Sequence, residues 1–295
     1  MKNGTCWLDT EGRPIQAHGG CIIEYGGQYF WYGENKAVKT ANGRVEFAGF
    51  SCYSSRDLHS WKNEGVVLPP VLNPRHELNT ANVGERPKVL YNDRTGRFVM
   101  LFHLDNSAYS YARVGVGISD NPVGPFVYQG SIRPCGRDSR DMYVFRDDDG
   151  SAYLVCSSDW NSSTLICLLN DSYTGLAGSA KTTFIDQYRE AQVLIKEQDT
   201  YYMFSSGCTG WAPNSMLYAV SISPMGIWKL IDNPCSGQNY RKTFYGQSAN
   251  AFRWKGQWNI MLDHWLPADL GNSGYSFLPI RIDGEYVEIP WVEEW

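Results

Sequence analysis

The sequence has no long apolar run. No stretch approaches the roughly 18 residues that a membrane-crossing helix needs, so a membrane partner is excluded. The opening MKNGTCWLDTEGRPIQ also lacks the apolar core of a secretory signal. A cytoplasmic location is expected, or export if a leader has been removed. Dense basic patches are missing too: the net charge is −5 and the Lys and Arg residues are scattered, which excludes nucleic acid as a partner. The eight cysteines (Cys6, Cys21, Cys52, Cys135, Cys156, Cys167, Cys208 and Cys235) form no CxxC pair and no metal-ligand spacing with histidine. Most fall inside apolar stretches, where a thiol packs as a small hydrophobe, as free thiols do in a reducing compartment. Helical periodicity is absent as well. What the chain does have is flat rings: 11 Trp and 19 Tyr among 295 residues. That exceeds what a core alone usually needs and suits sites for ligands with an apolar face, sugars included.

The rings recur in register. Five segments share one grammar of polar residue, apolar strand, turn and aromatic strand: QAHGGCIIEYGGQYFWYGEN, ERPKVLYNDRTGRFVMLFHLDN, RDMYVFRDDDGSAYLVCSSDWN, REAQVLIKEQDTYYMFSSGCTGW and GQSANAFRWKGQWNIMLDHW. The step from the polar residue to the first aromatic of the second strand barely changes, running His18 to Tyr29, Glu85 to Phe98, Asp141 to Tyr153, Glu190 to Tyr201 and Gln247 to Trp258. The turns carry Gly, Asp or Asn, as tight hairpins require. A second echo in small polar residues follows most hairpins, and the last repeat closes more loosely with YSFLPIRIDGEYVEIPW. This pattern predicts an all-β fold, a five-bladed β-propeller with four antiparallel strands per blade, forming one domain over residues 1–295.

In such a fold the first strand of each blade lines a central channel, so residues at the strand starts converge. The expected inner ring is Gln16 or His18, Glu85, Asp141, Glu190 and Gln247. The expected rim is Glu34, His103 with Asp105, Asp159 with Asn161, Thr209 with Trp211, and Asp263 with Trp265. Carboxyl groups crowded in an aromatic-walled pocket repel one another and lose water, which keeps at least one protonated near neutrality. One protonated and one ionised carboxyl flanking a bound sugar is the equipment for glycosidic cleavage. The alternative is structural: Glu85–Arg86 and Arg189–Glu190 as ion pairs that hold blades together.

At these residues the chain resembles glycoside hydrolase family 43, and within it the exo-β-1,3-galactanase branch. The matching phrases are DTEGRPIQAHGG, WYGENK, ERPKVLYN, RPCGRDSRDMYVFRDDDGSAYL, REAQVLIK, SGCTGWAPN and GQSAN. The resemblance implies an inverting, exo-acting hydrolase that releases galactose from β-1,3-linked galactan or galacto-oligosaccharides. It implies that Glu190 is the general acid, that Glu85 tunes and orients it, and that Gln247 holds the attacking water where most of the family supplies an Asp base. It further implies Glu34, Tyr109, Asp141, Asn161, Thr209 and Trp211 as galactose-binding positions. An arabinofuranosidase or xylosidase on the same scaffold, and a non-catalytic sugar-binding propeller, are the rival readings. No cofactor and no catalytic metal are expected. A structural calcium on the axis near His18 or His264 is the one ion that the resemblance suggests. No carbohydrate-binding module is expected after the propeller.

Overall fold

Each repeated segment folds as an antiparallel hairpin in the computed structural model, which describes residues 1–295. The first strands are His18–Tyr25, Val83–Asn92, Met142–Arg146, Arg189–Glu197 and Gln247–Trp254. Their partners are Gln28–Glu34, Arg97–Asp105, Ala152–Ser158, Thr200–Gly207 and Gln257–His264. The turns follow the local chemistry. Gly26 and Gly27 both take left-handed φ values, of 60° and 73°, so a two-residue turn can pair Tyr25 with Gln28. Helix is confined to three short 3-10 turns.

The structure corrects the expected architecture. The strands assemble into six sheets, four with four strands and two with three, in place of five four-stranded blades. The difference arises in the last repeat. Strand Gly274–Pro279 ends at a proline, which has no N–H to continue a ladder. The chain after it folds into its own hairpin, Arg281–Asp283 with Tyr286–Pro290, turning at Gly284 with φ +57°. That hairpin recruits Cys235–Ser236 in parallel, with Cys235 opposite Ile289. The protein is therefore an all-β propeller of six sheets.

The convergence of the strand starts does not depend on that count. The five first strands pack side by side around the axis, each against the next. Four of them carry a β-bulge near the start: between His18 and Cys21, Glu85 and Lys88, Glu190 and Val193, and Ser248 and Asn250. Gly19, Arg86 and Ala191 sit in those bulges at φ values of 57°, 53° and 54°. A bulge bends its strand and re-aims the adjoining side chain. Here it turns the residue beside each bulge toward one end of the axis.

Aromatic packing between sheets holds that end in place. Trp7, Trp31, Trp61, Tyr275 and Phe277 are all buried in one cluster. The Trp31 and Tyr275 rings meet edge to face, with centroids 4.7 Å apart. The axis itself is polar. Lys88 is fully buried and its Nζ donates to the Gly19 and Gly20 carbonyls at 2.5 and 2.9 Å. Burial lowers its pKa to about 8.

Candidate active site

A cavity of about 310 Å³ opens at the bulged ends of the inner strands and is lined by Glu34, Glu85, Tyr109, Asp141, Asn161, Glu190, Trp211 and Gln247. Eight of the nine residues expected at the site therefore share one pocket. Thr209 does not. Its hydroxyl donates to the Ala212 carbonyl at 2.5 Å and accepts from Asn214 Nδ2 at 2.7 Å, closing the turn that carries Trp211.

Glu190 and Gln247 start adjacent inner strands and touch: Gln247 Nε2 donates to Glu190 Oε1 at 3.0 Å and to Ser206 Oγ at 3.1 Å. Burial, and then the charge of Asp141, lift the Glu190 carboxyl to about 7, against the opposing charge of Arg86. Glu85 shows the reverse balance. Burial pushes it up, but His103, Lys36 and Tyr109 outweigh burial and bring it to about 2. Tyr109 Oη donates to Glu85 Oε1 at 2.8 Å, and His103 Nδ1 lies 3.2 Å from Glu85 Oε2. One carboxyl held protonated near neutrality and one held ionised is the division of labour that acid catalysis of glycoside cleavage needs.

Two residues that sequence reasoning did not place in the site, Arg86 and Lys36, organise it together with His103 of the expected rim. The structural alternative pairs Arg86 with Glu85, its neighbour in sequence. Instead its guanidinium lies 3.1 Å from Asp141 Oδ2 and donates to Gln247 Oε1 at 2.6 Å and the Ser248 carbonyl at 2.8 Å. The positive φ at Arg86 sends its side chain across the channel while its own N–H binds Glu34 Oε1 at 3.0 Å. Lys36, in the phrase WYGENK, pairs through Nζ with Glu34 Oε2 at 2.6 Å. Burial raises the Glu34 carboxyl, while Lys36 works against that shift. His103 bridges Glu85 and Asp105, its Nε2 lying 2.9 Å from Asp105 Oδ2. Burial lowers its pKa, yet the two carboxylates win and raise it to about 9. The repetition of acids next to arginines was the available signal for Arg86, and the repeat marked His103 with Asp105 as rim; nothing in the spacing marked Lys36.

The remaining groups are ready for a ligand. Asn161 Oδ1 is buried without a hydrogen-bond partner, a state that costs about 1–3 kcal/mol until a donor arrives. Trp211 is 48% exposed, and its ring meets Trp265 at 5.7 Å. The loop 35–49 crosses beside these rings. Its Arg44 donates to the Ser107 carbonyl at 2.7 Å and lies over the Tyr109 ring, while Thr40 Oγ1 accepts from Leu270 N at 2.9 Å. The loop thus spans from one side of the mouth to the other.

Near His18, its Nδ1 and Asp263 Oδ1 lie buried 3.8 Å apart without hydrogen-bond partners, and no group of three or more His, Cys, Asp or Glu converges there. His264 is instead bonded to Ser276 Oγ at 2.7 Å, and the carbonyls of Gly19 and Gly20 are already taken by the Lys88 ammonium.

Comparison with known proteins agrees with this chemistry. The model of glycosyl hydrolases family 43 matches residues 21–261. Comparison with curated proteins finds no match. Among solved structures, a family 43 β-1,3-galactosidase with galactodeoxynojirimycin is 35% identical, with a TM-score of 0.95 over 100% of this chain and 99% of that one. An exo-β-1,3-galactanase from Phanerochaete chrysosporium with galactose is 34% identical, with a TM-score of 0.91 over 98% of this chain and 66% of that one. An exo-β-1,3-galactanase from Clostridium thermocellum is 35% identical, with a TM-score of 0.89 over 99% of this chain and 65% of that one. This chain therefore spans about two thirds of the length of the last two. The family match over most of the sequence, joined to the paired carboxyl groups of the pocket, shows that the chain belongs to glycosyl hydrolases family 43.

Proposed function

We propose that the protein is an inverting, exo-acting hydrolase that releases terminal galactose from β-1,3-linked galactan or galacto-oligosaccharides. One observation carries the proposal: Glu190, poised near 7, shares a pocket with the ionised Glu85 and touches Gln247. The named activities of the structural relatives support the choice of sugar and linkage.

In this reading Glu190 gives its proton to the leaving oxygen as the glycosidic bond breaks. Water attacks the anomeric carbon from the opposite face, its surplus proton passes to solvent, and Glu190 regains its proton from solvent. Glu85 stays ionised and, with Tyr109 and His103, fixes the bound sugar and the field felt by Glu190. The unpartnered Asn161 carbonyl accepts a sugar hydroxyl, and the Trp211 face covers the apolar side of the ring. Gln247 has all its hydrogen-bonding capacity in use: its Oε1 accepts from Arg86 and from Trp265 Nε1 at 3.1 Å, and its Nε2 donates to Glu190 and Ser206. Inverting carboxyl pairs stand about 6.5–9.5 Å apart, with sugar and water between. A sugar in the pocket therefore opens the Gln247–Glu190 contact, and the freed amide holds the water. The loop 35–49 restricts the mouth, which accords with attack on chain ends.

The test is to incubate the protein with β-1,3-galactobiose and galactotriose and follow the anomers by NMR. Galactose should appear first as the α-anomer. First release as the β-anomer, or turnover of arabinofuranosides or xylosides with none of galactobiose, would overturn the proposal.

A further inference from the structure

Lys88 lies buried on the axis, three residues along its strand from Glu85, and does not itself line the catalytic pocket. Its ammonium is spent on two successive backbone carbonyls, those of Gly19 and Gly20. We infer that Lys88 is a positioning residue for sugar binding: it fixes the Gly19–Gly20 bend, and that bend holds the Glu34 carboxylate in the pocket. The inference rests on the proposed function, since it takes galactose as the ligand, and it adds a residue that shapes the site from below.

Successive carbonyls of a regular strand point to opposite edges, so one ammonium cannot reach both. Gly19 breaks that alternation. It occupies the bulge between His18 and Cys21 at φ +57°, and both carbonyls turn toward Lys88. The bend is also closely packed. A Cβ on Gly20 would overlap the Tyr32 carbonyl oxygen, and one on Gly19 would overlap Glu34 Oε1. The Glu34 carboxylate therefore rests directly on the Gly19 backbone.

The Gly19 residue is clamped from two sides. Its N–H donates to the buried Asp263 Oδ2 at 3.0 Å, and its carbonyl accepts from Lys88 at 2.5 Å. Above it, Glu34 Oε1 accepts from Arg86 N at 3.0 Å and Oε2 pairs with Lys36 at 2.6 Å. Those bonds set the direction of the carboxylate, while Gly19 sets its height. Without the ammonium two buried carbonyls lose their donor, so the bend relaxes and Glu34 moves with it. The charged and titratable groups that face Lys88 are Cys21, Arg86, Asp263 and Glu34. Glu190 is not among them, and Lys88 is not among the groups that set the acid. Loss of Lys88 should thus weaken sugar binding and leave the acid's titration in place.

The experiment reads the galactose inhibition constant in wild type, Lys88→Met, Glu34→Gln and the double variant. Methionine keeps most of the length and none of the charge. Lys88→Met should raise the constant on the order of tenfold, and the double variant should stay at the level of Glu34→Gln, because both act through one carboxylate. The alkaline limb of kcat/KM on galactobiose should remain near 7 in Lys88→Met. An unchanged constant, effects that multiply in the double variant, or a displaced limb would overturn the assignment. If Lys88→Met does not fold, Glu190→Gln decides, because it keeps the lysine and lacks the acid's titration. Burial lowers the Lys88 pKa to about 8, whereas burial pushes the facing Cys21 thiol up to about 11. Burial opposes the charge on Arg86, but Asp141, Asp263 and Glu34 outweigh it. The constant should therefore rise severalfold between about pH 7 and 8.5 as Lys88 loses its charge. A level constant across that range would overturn the role of Lys88. A wild-type protein that neither cleaves galactobiose nor is inhibited by galactose would instead overturn the proposed function.

Discussion

Gln247 Nε2 stands 3.0 Å from Glu190 Oε1, while Gln247 Oε1 stands 2.6 Å from the Arg86 guanidinium, which also reaches Asp141. A single amide thus joins the groups that raise and lower the acid's pKa. The amide donates to the Glu190 carboxyl and so favours its ionised form, on the same side as Arg86 and against burial and Asp141. Burial and Asp141 outweigh Arg86 and these hydrogen bonds, and the acid keeps its proton up to about 7.

Replacing Glu190 with glutamine should abolish cleavage of natural linkages, by about 10³-fold or more, and spare β-galactosyl fluoride, whose leaving group needs no proton. Wild-type activity should fall as pH rises through about 7, where Glu190 loses its proton. Residual activity of Glu190→Gln on the fluoride should lack that alkaline limb. Stability carries a second signature. A carboxyl raised from 4.5 to about 7 holds its proton in the folded state while the unfolded chain has lost it. Wild-type stability should therefore drop between those pH values, by on the order of 3 kcal/mol, and stay level above. Denaturant melts of the two proteins across that window should diverge with rising pH.

His103 works with the opposite sign. Its pKa is raised to about 9 by Asp105 and Glu85 against the effect of burial. The stability from its charged form is complete below about 6.5 and is lost as pH rises through 9. Replacing His103 with glutamine removes the cation that Glu85 and Asp105 share, leaving only Lys36 near Glu85, and should cost about 3–5 kcal/mol near pH 7. The variant's melts should also lack the wild-type decline between pH 7 and 10. A variant that keeps both stability and slope would remove His103 from the support of Glu85.

Much of this site is legible in the sequence because repetition encodes it. The near-constant step from Glu190 to Tyr201 and from Gln247 to Trp258 marks equivalent strand starts, and equivalent starts meet on an axis. The sheet count was harder to read. Pro279 breaks the last ladder, and the parallel pairing of Cys235 with Ile289 joins segments whose alternation gives no hint of each other. Arg86 and Lys36 were hidden for a related reason. Their partners, Asp141 and Gln247 for one and Glu34 for the other, follow from a bulge and from loop geometry, not from adjacency. Thr209 shows the converse, a motif residue whose hydroxyl is consumed by its own turn.

Removing the Gln247 side chain separates placement of water from supply of the proton. Gln247→Ala should lower kcat on galactobiose and on β-galactosyl fluoride alike, by about 10²-fold or more, because attack by water is common to both. Azide, a nucleophile that needs no deprotonation, should restore turnover of the fluoride and give α-galactosyl azide. Rescue with the β-azide, or fluoride hydrolysis at the wild-type rate, would place the attacking water elsewhere.

Gly43 couples the crossing loop to the sugar platform. Its φ is +70°, and a Cβ added there would lie 3.1 Å from Trp211 Nε1. Gly43→Ala therefore imposes two penalties, left-handed strain of about 1–2 kcal/mol and pressure on a ring that is half exposed and free to yield. Denaturant melts should register the first as a loss of that size. The second should appear as a severalfold rise in the galactose inhibition constant, since Trp211 tilts from the face that it offers the sugar. Glu190 has no contact with this loop, so the alkaline limb of the pH profile should stay near 7. A shifted limb with unchanged galactose affinity would mean that the loop acts on the acid and not on the platform.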